Sequence, residues 1–205
     1  MKNQFVAILI YFCSFGTSTK AQEINVDIQK AFSKSYEYEY AYNYDDAIKV
    51  LRPITTNSQY EVSLRLGWLD YLKGEHAQSV TFYKKAIALF PSSIEARLGI
   101  ANPLSYLGNW KEIENQYLEI LKYDAKNYTA NYRLALIKYN SKSYNAAEKY
   151  IKTLSELYPF DYDVNLLAAQ INISLGNITV AKNQLHRCLL YNPLSTEAKG
   201  LFEKL

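Results

Sequence analysis

Few side chains in this chain have a type and spacing that suggest catalysis. There are two histidines, His76 and His186, and two cysteines, Cys13 and Cys188. His186 and Cys188 are two apart, so on a helix they point to different faces and cannot share a metal ion. The acidic pair Asp45-Asp46 suits the first turn of a helix, where negative charge meets the positive end of the dipole. No glycine-rich phosphate loop, HExxH or CxxC pattern occurs. The residues therefore predict no catalytic group, no metal site, no cofactor and no enzymatic activity. Three glycosylation sequons, at Asn127, Asn172 and Asn177, carry weight only if the source is eukaryotic.

Tyrosine is the residue in excess, 20 among 205. In "SYEYEYAYNYDD", residues 35–46, it takes every second place, from Tyr36 to Tyr44. That alternation is the usual mark of a half-buried strand. Elsewhere composition is ordinary for a globular protein, 49% hydrophobic and 21% charged. A net charge of +3 is too small to suggest a nucleic-acid partner.

Residues 1–21 read as a secretory signal peptide: Lys2, an apolar stretch from Phe5 to Phe15, then small residues up to Ala21. The stretch is short for a membrane span, which takes about 20 residues. Cleavage after Ala21 is expected, with an uncleaved anchor as the alternative. Without Lys2 and Lys20 the 23 basic residues fall to 21, against 20 acidic ones, and Cys188 is the one cysteine left. An internal disulfide is then impossible, and the fold must rest on its apolar core.

The chain repeats itself. "GEHAQSVTFYKKAIALFP" from Gly74 meets "GNWKEIENQYLEILKYDA" 34 residues on, then "KSYNAAEKYIKTLSELYP" and "GNITVAKNQLHRCLLYNP", each a further 34 along. The period and the residue pattern resemble the tetratricopeptide repeat. In units beginning at Tyr60, Ile94, Tyr128 and Tyr162, the eighth places are small: Gly67, Ala101, Ala135 and Ala169. Gly74, Gly108, Lys142 and Gly176 take the turn. Ser79, Ile113, Ala147 and Ala181 take the twentieth place, and Tyr83, Tyr117, Ile151 and Leu185 fill the space between units. "YNYDDAIKVL" aligns with "KSYNAAEKYI", which adds an earlier, shorter unit whose second helix should end near Pro53. In this register Tyr36, Tyr38 and Tyr40 are helical. His76 takes the place of Tyr44, Trp110 and Tyr144 and reads as packing. Cys188 stands where Ala86 and Leu154 stand and reads as an inert core residue.

The resemblance implies an all-α solenoid, a right-handed superhelix of about five helix-turn-helix repeats over 22–205. The repeats run 28–59, 60–93, 94–127, 128–161 and 162–195. A short capping helix over 196–205 follows, with Thr196 as N-cap and Leu201 and Phe202 covering Leu185 and Leu189. An exported bacterial member of the family is expected, located in the periplasm, cell envelope or outside the cell.

The family's first helices line a concave groove. Carried over, its places fall on Phe32, Tyr36, Tyr40, Trp68, Tyr71, Asn102, Tyr106, Tyr132, Tyr139 and Asn140. Tyrosine and tryptophan give large contact area with a polar tip. The carboxylate clamp of the chaperone-binding subclass is incomplete, because Leu98, Asp163 and Leu167 stand where its basic residues belong. Pro103 sits inside the third unit's first helix and is expected to disturb the groove there. The implied function is a non-enzymatic interaction scaffold of the cell envelope, holding a protein or peptide. A glycan-binding periplasmic subunit of a polysaccharide system is the alternative. No membrane span is expected once the leader is removed, and the protein should be a monomer or weak homo-oligomer.

Overall fold

A computed structural model of the chain describes residues 18–54 and 59–205. Up to residue 17, the expected leader lies outside the described residues. These hold eleven α-helices and no strand. None of the helices is long and apolar enough to cross a membrane. The chain divides into two compact units, Met1–Thr56 and Asn57–Leu205.

The first unit contains α1 (Ser18–Tyr40) and α2 (Tyr44–Lys49). The alternating tyrosines are helical: Tyr36, Tyr38 and Tyr40 lie in α1, Tyr42 in the turn, and Tyr44 opens α2. Buried Ser35 occupies this unit's eighth place, and Ala47, Ile48 and Leu51 are buried as well. Asn43 caps α2 by accepting from the amide of Asp46. As expected, α2 stops early, before Pro53.

The second unit is a stack of helix pairs. These are α3 (Gln59–Lys73) with α4 (His76–Leu89), α5 (Ile94–Tyr106) with α6 (Trp110–Tyr123), α7 (Tyr128–Asn140) with α8 (Tyr144–Leu157), and α9 (Tyr162–Ser174) with α10 (Ile178–Tyr191). A final α11 (Thr196–Phe202) lies on α10. Each helix packs on its neighbour in sequence. First helices also touch, α3 with α5 and α7 with α9, so they form the inner side. Small residues set the spacing: Gly67, Ala101, Ala135 and Ala169 are buried against the following helix. The Ser79 hydroxyl donates to the Gly67 carbonyl at 2.6 Å, a reach that only a short side chain allows.

All five turns within pairs close alike. The residue after the turn donates its amide five residues back, as in Glu75 to Asp70 and Ser143 to Lys138, which is a Schellman closure. The geometry needs positive φ. Gly74, Gly108 and Gly176 supply it freely, whereas Tyr42 (φ 57) and Lys142 (φ 60) adopt it against the repulsion of their own Cβ. Lys142→Gly is therefore expected to stabilise the protein by about 1 kcal/mol, with a Tm gain of about 2–4 °C in a thermal melt.

Two polar columns also recur every 34 residues and were not apparent from the apolar pattern. Ser93, Asn127, Asp161 and Ser195 each cap a first helix by accepting from the amide three residues on. The first residue of a unit reaches the next unit's cap: Tyr60 to Ser93 at 2.6 Å, Tyr128 to Asp161 at 3.2 Å and Tyr162 to Ser195 at 2.7 Å. The second column is Ser63, Arg97, Asn131 and Asn165, all buried. Arg97, Asn131 and Asn165 donate to the carbonyls of Pro91, Ala125 and Pro159, pinning each loop to the helix that follows it. The capping helix differs from expectation in two details. Its N-cap is Ser195, because Thr196 is already helical. Ala198, Leu201 and Leu205, not Phe202, pack on the last pair beside Leu185 and Cys188.

Candidate functional site

In the second unit a cavity of about 710 Å³ opens where α5, α6 and α7 meet at their turn ends. Helical spacing assembles its wall. Asn102 and Tyr106 are four apart on α5, Leu136 and Asn140 four apart on α7, and Arg133 and Ile137 likewise, so each pair shares a face. Tyr71 of α3 and Trp110 and Tyr117 of α6 line it as well. Pro103 does not break α5, which continues to Tyr106 with its lost amide bond facing the Gly99 carbonyl.

The lining is aromatic, aliphatic, hydroxyl and amide, with one formal charge. Arg133 is exposed and is the only charged side chain among the lining residues. Burial raises the Tyr117 hydroxyl above the ordinary tyrosine range, and the nearby Arg133 guanidinium pulls it back. Burial, then the adjoining Tyr106 phenol, likewise keeps the Tyr71 hydroxyl protonated. Outside the lining, Lys138 and Glu114 form an ion pair at 2.5 Å that spans α7 and α6. A cavity so built presents hydroxyl and amide hydrogen bonds and one cation to whatever enters it.

Of the ten residues expected to line the groove, Tyr71, Asn102, Tyr106 and Asn140 meet at this cavity. Trp68 is half-buried and leans on Tyr71 with centroids 5.7 Å apart. Tyr132 and Tyr139 pack against the core between α7, α8 and α9. Tyr132 stacks on Tyr128 at 6.0 Å, and Tyr139 lies 5.8 Å from Tyr144. Phe32, Tyr36 and Tyr40 belong to α1 of the first unit, where Phe32 is half-buried and the two tyrosines are exposed. Arg133 was missed. It stands at a sixth place otherwise held by Arg65, Gly99 and Leu167, so no repeating signal singles it out.

The residues weighed for chemistry lie elsewhere. His76 stacks on Tyr106 at 4.3 Å and 22°, beside the cavity and packed as its repeat position suggested. His186 is exposed. Cys188 is fully buried, and burial pushes its thiol up to about 11, which removes the thiolate needed for attack. Among the described residues no three of His, Cys, Asp and Glu gather as a metal site.

Two stretches of the chain match family models described as tetratricopeptide repeat, residues 61–93 and 128–161. The curated proteins compared with the chain include no match. Solved structures are similar in fold. A tetratricopeptide repeat protein from Parabacteroides merdae superposes with a TM-score of 0.75 at 17% identity, over 87% of this chain and 72% of that one. A MamA protein gives 0.69 at 13% identity, over 82% and 93%. MamA from Desulfovibrio magneticus gives 0.68 at 13% identity, over 83% and 97%.

Proposed function

The chain is a tetratricopeptide-repeat protein, and from that premise we propose that it is a non-enzymatic scaffold of the cell envelope. Its work is to hold an extended protein segment against α5 and α7. The leader read in residues 1–21 supports export to the periplasm or cell surface. The observation that carries the binding reading is the cavity itself. Asn102 and Asn140 offer amides to a peptide backbone, Tyr71 and Tyr106 offer ring surface, and Arg133 offers one uncompensated charge. An acidic side chain is the natural counterpart, since arginine binds a carboxylate through two parallel hydrogen bonds.

A peptide array of extended acidic sequences, with each acid paired to its amide counterpart, tests this reading. Wild type should retain the acidic members. Arg133→Gln should lose roughly tenfold or more in affinity, the value of one charge-assisted hydrogen bond. Equal binding by the variant, or no binding above background, defeats the reading. Retention of soluble polysaccharide in place of peptides would establish the glycan alternative.

A further inference from the structure

The second unit carries an apolar ridge that neither the core nor the cavity uses. Its four members close the second helices: Leu89 ends α4, Tyr123 ends α6, Leu157 ends α8 and Tyr191 ends α10. They are 34 residues apart, and each remains between 40% and 59% exposed. Phe160 at 54% and Leu194 at 82%, again 34 apart, widen the ridge at one end. The ring of Phe160 lies 5.6 Å from that of Tyr191, so the two rows are continuous there. Core packing explains none of this exposure, because the positions one turn earlier, Ala86, Ile120, Leu154 and Cys188, fill the core completely.

We propose that this ridge is a self-association surface, and that its occupant is the ridge of a second copy in antiparallel, two-fold arrangement. Three observations favour a second copy. The first is period. The ridge residues recur with the helix pairs, and another copy's ridge meets all of them with the same spacing. The second is order. Along the stack the four read Leu, Tyr, Leu, Tyr, so a two-fold axis between Tyr123 and Leu157 opposes Leu89 to the partner's Tyr191 and Tyr123 to the partner's Leu157. Each contact then joins a leucine to a tyrosine ring, as an isologous interface requires. The third is area. At roughly 200 Å² per side chain, the six residues offer on the order of 650 Å² of apolar surface, where a standard interface takes about 800 Å² per partner, little more than half of it apolar.

Charge does not oppose the pairing. None of the six is charged, and Lys122 beside Tyr123 is already paired with Glu119 at 2.5 Å. The ridge follows the ends of the second helices, whereas the cavity lies at the turn ends where those helices begin. A dimer formed this way leaves both cavities open, so the proposal stands independently of the peptide-binding reading.

Sedimentation of the full-length protein tests it, with circular dichroism confirming that each variant is folded. Wild type should dimerise at micromolar concentration. Tyr123→Lys and Leu157→Glu, introduced singly, should each weaken the dimer at least about tenfold, as expected for charges buried at the centre of an interface. Combined in one chain, they should restore it, because the two-fold axis sets each lysine against the partner's glutamate. A monomeric wild type, or single variants that dimerise as well as wild type, would overturn the proposal. So would a combined variant that stays monomeric. Binding of the ridge to lipid vesicles without dimerisation would overturn it in favour of a membrane surface.

Discussion

Gly99→Ala is expected to destabilise the protein by about 1–3 kcal/mol, although alanine is the better helix former by about 1 kcal/mol. The cause is the ring of Tyr83 on α4. A Cβ on Gly99 would lie 2.4 Å from Cε1 of that ring, 2.7 Å from Cζ and 2.9 Å from the hydroxyl oxygen. The ring cannot retreat, because its other edge already lies against Gly67 of α3, where an added Cβ would stand 2.9 Å away. Tyr83 is thus clamped between glycines of two successive first helices. Burial and the nearby Glu95 keep its hydroxyl protonated far beyond the ordinary tyrosine range. Urea denaturation of Gly99→Ala, Tyr83→Leu and the double variant checks the account. The double variant should be more stable than the sum of the two single losses predicts, since a smaller residue removes the clash. A Gly99→Ala protein as stable as wild type would show that α5 can move away from α4, and the clamp would be no clamp.

Leu134→Ala should cost about 2–5 kcal/mol. Leu134 lies on α7 yet belongs to the core of the preceding pair, fully buried with Ile100 and Leu104 of α5 and Ile120 of α6. Truncation would leave a void at the seam between two helix pairs. In a stack each pair is stabilised by its immediate neighbours, so weakening one seam also divides the cooperative unit. Trp68 and Trp110, the only tryptophans, both lie before that seam. Wild type should show one urea transition by tryptophan fluorescence and by far-ultraviolet circular dichroism. In Leu134→Ala the two should separate. Leu134→Met, which preserves volume, should cost less than about 1.5 kcal/mol and keep the transitions together. Coincident transitions in the alanine variant would mean that the seam does not transmit cooperativity.

The helix pairs were legible because their determinants are local and repeated. Small residues at the eighth place and, Ile113 apart, at the twentieth, with turn residues at a fixed offset, outweigh a short run of alternating tyrosines. Tyr42 shows the strength of that constraint, since it adopts a left-handed conformation merely because its place in the repeat is the turn. The site was less legible. An aromatic at a groove position turns inward or outward according to neighbours contributed by other units. Tyr132 stacks on Tyr128 and joins the core, while Tyr106 remains at the cavity rim. Arg133 was invisible for a related reason: its charge acquires meaning only from the lack of an acidic side chain around a cavity that three helices form together. The buried column of Ser63, Arg97, Asn131 and Asn165 escaped notice because its side chains vary, although Arg97, Asn131 and Asn165 share one task.

Among the described seams of the second unit, the tyrosine latches between neighbouring pairs have one gap. Tyr60, Tyr128 and Tyr162 each reach the next cap, but the third unit begins with Ile94, which has no hydroxyl to offer Asn127. That seam, between α6 and α7, is bridged by the ion pair of Lys138 and Glu114. The latches at the other seams are short-range and mostly uncharged, whereas a partly exposed ion pair is weakened by counterions over a Debye length of about 8 Å at physiological salt. The stack is therefore not a uniform spring. Among the described seams of the second unit it has one whose side-chain tie is an ion pair, expected to weaken as ionic strength rises, and that seam forms a wall of the cavity.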